Sequence, residues 1–210
     1  MGPIQKQFEN VLRLFKKHKV KFALAGGYAA SIYRAQERFT KDIDFIIYIE
    51  GNVIHDAKEI LKELGLNAFE IREAQLRGGP PDKIKEKTTP IWMVAGRGDT
   101  REDVPVDFLL HQFPWMRSAL DRAQANEVNI GFGWKIPVLT AEDTLLSKFM
   151  ALSDKSDRID DLSDIKEIFS HTKIDLPYLI GQMKILKIRC PKSANKFVPK
   201  VIRMISREIT

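Results

Sequence analysis

The chain has 210 residues, 44% of them hydrophobic and 30% charged, which is enough to bury one sizeable core. No apolar run approaches the roughly 18 residues that cross a bilayer, and the first residues lack the layout of a secretory signal, so we expect a cytoplasmic protein without a membrane partner. The single cysteine, Cys190, excludes an intramolecular disulfide and a cysteine-based zinc cluster, and the net charge of +6 is concentrated in residues 184–210.

The first part of the chain alternates helical and extended patterns. Apolar residues recur at the spacing of one helical face in the opening segment, whereas the run Ile-Asp-Phe-Ile-Ile-Tyr-Ile is β-branched and suited to a buried central strand. In chain order these patterns predict a helix over 8–15, a strand over 20–25, a helix over 28–36, a strand over 43–49, a helix over 55–64 and a strand over 67–71.

The middle of the chain contains two further strand patterns around a polar loop. The spacing predicts strands over 91–95 and 104–110, which the loop 96–101 joins as a hairpin. The flanking predictions are a Gly-, Pro- and Lys-rich loop over 77–88, a short helix over 114–123 and an extended stretch over 127–137.

From residue 140 onward the pattern becomes helical. Thr140 followed by Asp143 fits a capping box, and an apolar face follows it. Amphipathic segments then cover 159–169, 176–186 and 194–209. We expect an α/β (α+β) fold with a mixed β-sheet flanked by helices over residues 1–138, and a C-terminal helical bundle over residues 139–210.

Three acidic residues are placed to meet on the predicted sheet. Asp42 and Asp44 open one strand, and side chains two apart in a strand point to the same face, with Cα atoms about 7 Å apart. Neighbouring carboxylates repel each other, and a hard divalent cation relieves that repulsion. If Asp107 comes from an adjacent strand, the three carboxylates suit two Mg²⁺ ions.

Two adjacent glycines fit the same site. Gly26 and Gly27 separate a strand from a helix, where backbone N–H groups without side chains in the way can approach phosphate oxygens. Taken alone, the two glycines fit an ordinary tight turn, and the Asp-x-Asp fits the solvent-exposed start of a strand. Their order along the chain favours a phosphate-binding site beside a metal site.

The segment LAGGYAASIYRAQERFTKDIDFII carries a family resemblance. Its Gly-Gly followed by Asp-x-Asp after a helix resembles the signature of the DNA polymerase beta-like nucleotidyltransferase superfamily. It is more specifically similar to the minor, AbiEii-like branch of toxin–antitoxin nucleotidyltransferases, in which the glycines precede Arg-x-Ser/Thr-x-Asp-x-Asp. The residues that fill this pattern are Arg38, Thr40, Asp42 and Asp44.

A second segment, LTAEDTLLSKFMALSDKSDRIDDLSDIKEI, is similar to the C-terminal helices of that branch. Lys148 matches a lysine of the branch, and Arg158, Asp161 and Asp164 match an Arg-x-x-Asp-x-x-Asp-like element. The resemblance implies that Lys148 contacts nucleotide phosphates, with a solvated helix lysine as the alternative. We interpret Asp161 and Asp164 as structural residues that fix Arg158 or Lys148, and Asp160 departs from the lysine that many relatives carry.

The resemblance implies a nucleotidyltransferase that moves a nucleoside monophosphate from a nucleoside triphosphate (NTP) to an acceptor hydroxyl and releases pyrophosphate. It assigns Asp42, Asp44 and Asp107 to catalysis and to two Mg²⁺ ions, for which Mn²⁺ could substitute. Gly26, Gly27 and Lys148 would hold the nucleotide. Arg38 and Thr40 would orient the Asp pair or touch phosphate, although capping and surface roles fit them equally well.

The acceptor is open at this point. Residues 184–210 carry eight Lys or Arg against Glu208 alone, a charge that could contact an RNA backbone or could simply form a solvated helix face. With the resemblance, this favours an RNA acceptor such as a tRNA 3′ end, modified by an AbiEii-like toxin that has a cognate antitoxin. A protein adenylyltransferase of the antitoxin type and a non-catalytic nucleotide-binding regulator are the alternatives.

Overall fold

The computed structural model describes residues 2–36, 38–72, 90–110, 114–131, 133–154 and 158–209, so the loop expected over 77–88 lies outside them. The helices are α1 (Pro3–Lys17), α2 (Gly26–Ile32), α3 (Val53–Glu63), α4 (Pro114–Ala125), α5 (Ala141–Asp154), α6 (Ile159–His171), α7 (Leu176–Leu186) and α8 (Lys200–Glu208). The strands are β1 (Lys21–Leu24), β2 (Ile43–Tyr48), β3 (Asn67–Arg72), β4 (Ile91–Arg97), β5 (Val106–Leu110), β6 (Glu127–Asn129) and β7 (Lys135–Pro137).

The main sheet has five strands in the order β1-β2-β5-β4-β3. Strands β2 and β5 run parallel, and the other neighbouring pairs are antiparallel. A mixed sheet of this kind confirms the α/β (α+β) class expected from the sequence. Strand β2 lies between two partners, which explains its almost continuous apolar sequence, since a central strand is covered on both faces.

Helices α1 and α3 cover one face of the sheet, and α4 covers the other. The first face is rich in phenylalanine, and the rings of Phe15 and Phe45 meet edge to face with centroids 5.0 Å apart. Such pairs contribute about 0.5–1.5 kcal/mol beyond the burial of their area. Helices α5 to α8 build a separate apolar cluster, to which α2 contributes Ala30.

The observed boundaries differ from the expected ones in two informative places. Helix α2 starts at Gly26 and ends at Ile32, earlier than the expected 28–36. Where a helix was expected over 194–209, a 3₁₀ turn at Lys192–Ala194 precedes the separate and shorter helix α8, which has Pro199 at its N-cap. Proline has no N–H to donate within a continuous helix, so the single helix expected there was wrong. No helix in the described part of the chain could span a membrane.

A buried carboxylate joins the helices that flank the sheet and the bundle. Asp143 on α5 is fully buried, and it accepts hydrogen bonds from Arg122 Nε at 2.9 Å, Arg122 Nη2 at 2.7 Å and the Tyr178 hydroxyl at 2.8 Å. The hydroxyl of Thr140 accepts from the Asp143 N–H at 3.2 Å, so the expected cap at the start of α5 is present. One side chain therefore connects α4, α5 and α7.

We expect Asp143→Ala to lower the free energy of unfolding by about 2–4 kcal/mol, because it leaves a partly buried guanidinium and a hydroxyl without their acceptor. Urea denaturation measures this loss. Asp175→Ala is the matched control, since the Asp175 side chain caps α7 by accepting from the Tyr178 N–H, and its loss should cost about 1 kcal/mol. Equal losses for the two variants would contradict the joining role of Asp143.

Candidate active site

The parallel pairing of β2 and β5 creates a cluster of three carboxylates. Asp44 on β2 lies directly opposite Asp107 on β5, and Asp42 immediately precedes β2. Each of the three offers a carboxylate oxygen, and these oxygens all lie within 4.8 Å of one another. The structure thus brings together the three acids singled out from the sequence, in a set of hard oxygen donors that could hold a divalent cation.

The crowding of negative charge is visible at Asp44. Burial, followed by the charges of Asp42 and Asp107, raises the pKa of Asp44 to about 7, although Lys148 and a hydrogen bond from the Gly27 N–H act in the opposite direction. Burial also raises the pKa of Asp107 above its usual range. A cation bound among these groups would remove much of the repulsion, so the donor set fits a metal ion.

Arg97 was not foreseen from the sequence, where it was assigned to a loop. Strand β4 extends to Arg97, and its guanidinium forms two hydrogen bonds with the carboxylate of Asp107, one of them from Nη2 to Oδ2 at 3.0 Å. This contact raises the pKa of Arg97. In the observed register Ala95 pairs with Asp107, and Arg97 follows two residues later on the same face.

The two glycines allow the backbone to approach this cluster closely. Gly26 has a φ of +61°, a backbone conformation that residues with a Cβ atom rarely adopt. A Cβ atom there would also lie 1.8 Å from Asp44 Oδ2, so both the backbone conformation and the lack of space exclude a larger residue. At Gly27 a Cβ atom would lie 2.6 Å from Thr40 Oγ1 and 2.7 Å from Arg38 Nη2. In this structure the Gly27 N–H points to Asp44, and the expected phosphate contact of both glycines stays a prediction.

Thr40 and Arg38 connect the cluster to its surroundings. The buried Thr40 donates its hydroxyl hydrogen to Asp42 Oδ1 at 3.0 Å, which orients that carboxylate. Arg38 instead faces helix α6, with Nε 3.0 Å from Asp164 Oδ1 and Nη1 3.4 Å from Asp160 Oδ2. The hydrogen bond from Thr40 to Asp42 is the contact expected of a residue that orients the aspartates.

Lys148 on α5 is buried, with 5% of its surface exposed, which excludes a solvated helix lysine. Its Nζ lies 2.6 Å from Asp161 Oδ1 and 2.9 Å from Asp164 Oδ2. Asp161 also lies 2.6 Å from Arg158 Nε. The two aspartates therefore make the contacts with Lys148 and Arg158 that their interpretation as fixing residues requires.

The cluster opens into a cavity of about 910 Å³ between the sheet and the helical bundle. Its polar side contains the three carboxylates, both glycines and Lys148. Its lining also includes the apolar side chains of Trp92, Trp115, Met116 and Leu139. A space of this size, lined by both charged and aromatic groups, suits a nucleotide-sized ligand.

Comparison with known proteins connects this geometry to a family. A protein-family model described as "Nucleotidyl transferase AbiEii toxin, Type IV TA system" matches residues 12–199. Among solved structures, the antibiotic-resistance factor ANT(2'')-Ia aligns with a TM-score of 0.52 at 14% identity, covering 99% of this chain and 94% of that one. An antigenic nucleotidyltransferase-like protein from Paracoccidioides brasiliensis aligns at 14% identity with a TM-score of 0.45, covering 84% and 75% of the two chains. No curated protein matches the sequence.

The raised pKa of Asp44 predicts how the stability of the metal-free protein depends on pH. Below the usual pKa of 3.8 this carboxyl is protonated in both the folded and the unfolded chain. Between 3.8 and about 7 the unfolded chain releases the proton first, so the folded state loses stability as pH rises. We therefore expect Asp44→Asn to raise the melting temperature in EDTA at pH 8 by about 3 °C or more, and to leave it nearly unchanged at pH 4.

Asp121→Asn is the control for this measurement. Asp121 is exposed and Lys21 lowers its pKa, so its ionisation stabilises the fold and its replacement should not raise the melting temperature. Differential scanning calorimetry of both variants at pH 4 and pH 8 measures the melting temperatures that test this prediction. A gain for Asp44→Asn that is the same at pH 4 and pH 8 would show that ionisation of Asp44 is not its cause.

Proposed function

The chain belongs to the AbiEii nucleotidyltransferase family of type IV toxin–antitoxin systems, and on this premise we propose that it transfers a nucleoside monophosphate from an NTP to a hydroxyl of an acceptor RNA with the help of divalent metal. The observation that carries the proposal is the meeting of Asp42, Asp44 and Asp107 beside the buried Lys148. Membership of this family suggests an NTP substrate and a cognate antitoxin.

The three aspartates are the proposed metal ligands, for Mg²⁺ or for Mn²⁺ in its place. When bound there, two such ions would lower the pKa of the attacking hydroxyl and hold the triphosphate. The crowding of the carboxylates supports this assignment, because Asp44 with a pKa of about 7 gains most from a neighbouring positive charge. Thr40 fixes the orientation of Asp42 by its hydrogen bond of 3.0 Å.

Lys148 is the proposed phosphate contact. An ammonium group has three N–H donors, and the hydrogen bond to Asp161 Oδ1 uses one of them, while Asp164 Oδ2 lies at ion-pair distance, 2.9 Å away. A remaining donor can reach a phosphate oxygen inside the cavity that Lys148 borders. Gly26 and Gly27, which border the same cavity, are proposed to hold phosphate through their backbone, where no Cβ atom blocks the approach.

In the proposed reaction the acceptor oxygen forms a bond to the α-phosphorus while the bond to the bridging oxygen of the pyrophosphate breaks. Asp107, one of the three carboxylates of the cluster, is the proposed acceptor of the proton that the attacking hydroxyl loses. Most of the rate gain would come from positioning and charge stabilisation, as is general for phosphoryl-group transfer.

The proposed acceptor is RNA, such as the 3′ end of a tRNA. All eight Lys and Arg side chains between residues 184 and 210 are exposed, so the positive charge found in the sequence reaches the surface. Exposed cations in this number can neutralise backbone phosphates, and the resulting binding would weaken with rising salt. The basic residues are Lys184, Lys187, Arg189, Lys192, Lys196, Lys200, Arg203 and Arg207.

Incubation of the protein with each α-labelled NTP, total tRNA and cell lysate tests the proposal. We expect label in the RNA, and a loss of more than about 100-fold for Asp44→Ala and for Asp107→Asn, since positioning and charge stabilisation are lost together. Asp121→Asn should retain full activity, because it removes an exposed carboxylate of α4 that pairs with Lys21 and does not border the cavity. Label in a polypeptide band would favour a protein adenylyltransferase, and nucleotide binding without any transfer would favour a regulator.

Arg97 makes a separate prediction about metal binding. Its guanidinium occupies the Asp107 carboxylate that the proposal assigns to a cation, so the two positive charges compete. We expect Arg97→Ala to tighten Mn²⁺ binding to the nucleotide-free protein by about tenfold, because a unit charge a few Å away contributes about 1–3 kcal/mol near a protein surface. Isothermal titration calorimetry measures the affinity directly.

The control is Arg13→Ala, which removes an exposed arginine from α1. It changes the net charge of the protein equally and should leave the Mn²⁺ affinity almost unchanged, because exposed charges at a distance are screened. If Arg97→Ala weakens the binding of Mn²⁺, Arg97 supports the site and does not compete for it.

A further inference from the structure

Phe39 stands exposed at the mouth of the candidate active-site cavity. It is 76% exposed and borders the same cavity as the three carboxylates. Water contact with a side chain of this kind is unfavourable, and burying it fully would contribute about 1.5–3 kcal/mol. An exposed aromatic ring beside a cavity that binds ligand is therefore a candidate contact for that ligand.

The backbone on both sides of Phe39 is held in place. The preceding Arg38 lies 3.0 Å from the fully buried Asp164 on α6, and the following Thr40 is buried and donates to Asp42. Because the neighbours are fixed, little chain entropy is lost when a ligand contacts the ring. The ring is presented to solvent by a segment that is otherwise anchored.

The surroundings of Phe39 combine apolar surface and positive charge. Ile159, at the start of α6, is 79% exposed and borders the same cavity. The exposed Lys41 and Arg158, whose side chain is 51% exposed, also border it, as does the exposed Asp160, whose carboxylate lies 3.4 Å from Arg38 Nη1. Flat aromatic surface flanked by cations is the chemistry that binds single-stranded nucleic acid, because bases stack on the ring and phosphates pair with the cations.

The outer position of Phe39 distinguishes the acceptor from the donor nucleotide. A nucleoside triphosphate can be enclosed in a cavity of about 910 Å³, whose inner wall already offers Trp92 and Trp115. An RNA strand can place only its end there, and the rest of it must cross the rim. Building on the proposed RNA-directed transfer, we propose that Phe39 is the platform on which the terminal base of the acceptor RNA stacks.

The test compares steady-state transfer by the wild type, Phe39→Ala and Phe39→Trp, with the tRNA that the wild type labels as acceptor. We expect Phe39→Ala to raise the KM for tRNA on the order of tenfold, since loss of a stacking platform weakens binding by this order. The KM for the NTP should change less than about twofold, and Phe39→Trp should restore wild-type behaviour because it keeps a larger ring.

Phe69→Ala is the matched control. Phe69 is also a largely exposed phenylalanine, at 52%, but it lies on β3 at the edge of the sheet and does not border the cavity. Its replacement should leave both KM values unchanged. If Phe39→Ala raises the KM for the NTP and not the KM for tRNA, the ring contacts the donor nucleotide and the proposal is overturned.

A second acceptor links the effect to the base itself. A tRNA with an abasic 3′-terminal nucleotide should raise the KM of the wild type as much as Phe39→Ala does with normal tRNA, whereas Phe39→Ala should handle the two RNAs alike. If the losses from the two changes are additive, the stacking proposal is overturned.

Failure of the proposed function is recognised separately, because the wild type would then label no RNA. In that case the equilibrium affinities of the wild type and of Phe39→Ala for the same two tRNAs are measured. If both proteins bind the normal tRNA with equal affinity, the proposal that Phe39 is a stacking platform is overturned.

Discussion

The register between the two parallel strands β2 and β5 is the constraint on which the rest of the site depends. It sets Asp44 directly against Asp107, and Asp42 joins them from the residue before β2. Burial, together with the charges of Asp42 and Asp107, raises the pKa of Asp44 to about 7, so the ionised form of this carboxyl destabilises the folded chain. A fold that keeps such an arrangement must hold the strands by other means, and the apolar faces of β2, covered by α1 and α4, supply that stability.

The helical bundle supplies the compensating positive charge. Asp164 on α6 is fully buried, and it lies 2.5 Å from Arg34 Nη1, 3.0 Å from Arg38 Nε and 2.9 Å from Lys148 Nζ. Three cations, from the residues just after α2, from the segment 38–42 and from α5, therefore converge on one carboxylate of α6. A buried carboxylate without them would be strongly destabilising, so the bundle and the sheet are coupled through these contacts. The same contacts keep Lys148 close enough to Asp44 to lower its pKa.

Much of this site could be predicted from the sequence because its main signals are local. The two-residue spacing of Asp42 and Asp44 fixes a shared face, and Gly26-Gly27 marks a turn whatever the tertiary structure. Arg97 could not be placed in the same way, because β4 reaches it only through pairing with Asn67 on β3, a contact far away in the sequence. The burial of Lys148 likewise depends on Asp161 and Asp164 from another helix. The break before α8 could have been predicted, since Pro199 is present in the sequence.

The segment from Arg38 to Asp42 connects the rim of the cavity with its centre. Along five residues it carries one arginine fixed to α6, one exposed ring, one hydroxyl that orients a carboxylate and the first acid of the cluster. Gly27 lies under this segment, where any Cβ atom would collide with Thr40 and Arg38. The hydroxyl of Thr40 holds the Asp42 carboxylate, one residue after the exposed ring of Phe39. The exposed ring and the first carboxylate of the cluster therefore share one short stretch of sequence, which also carries the family resemblance.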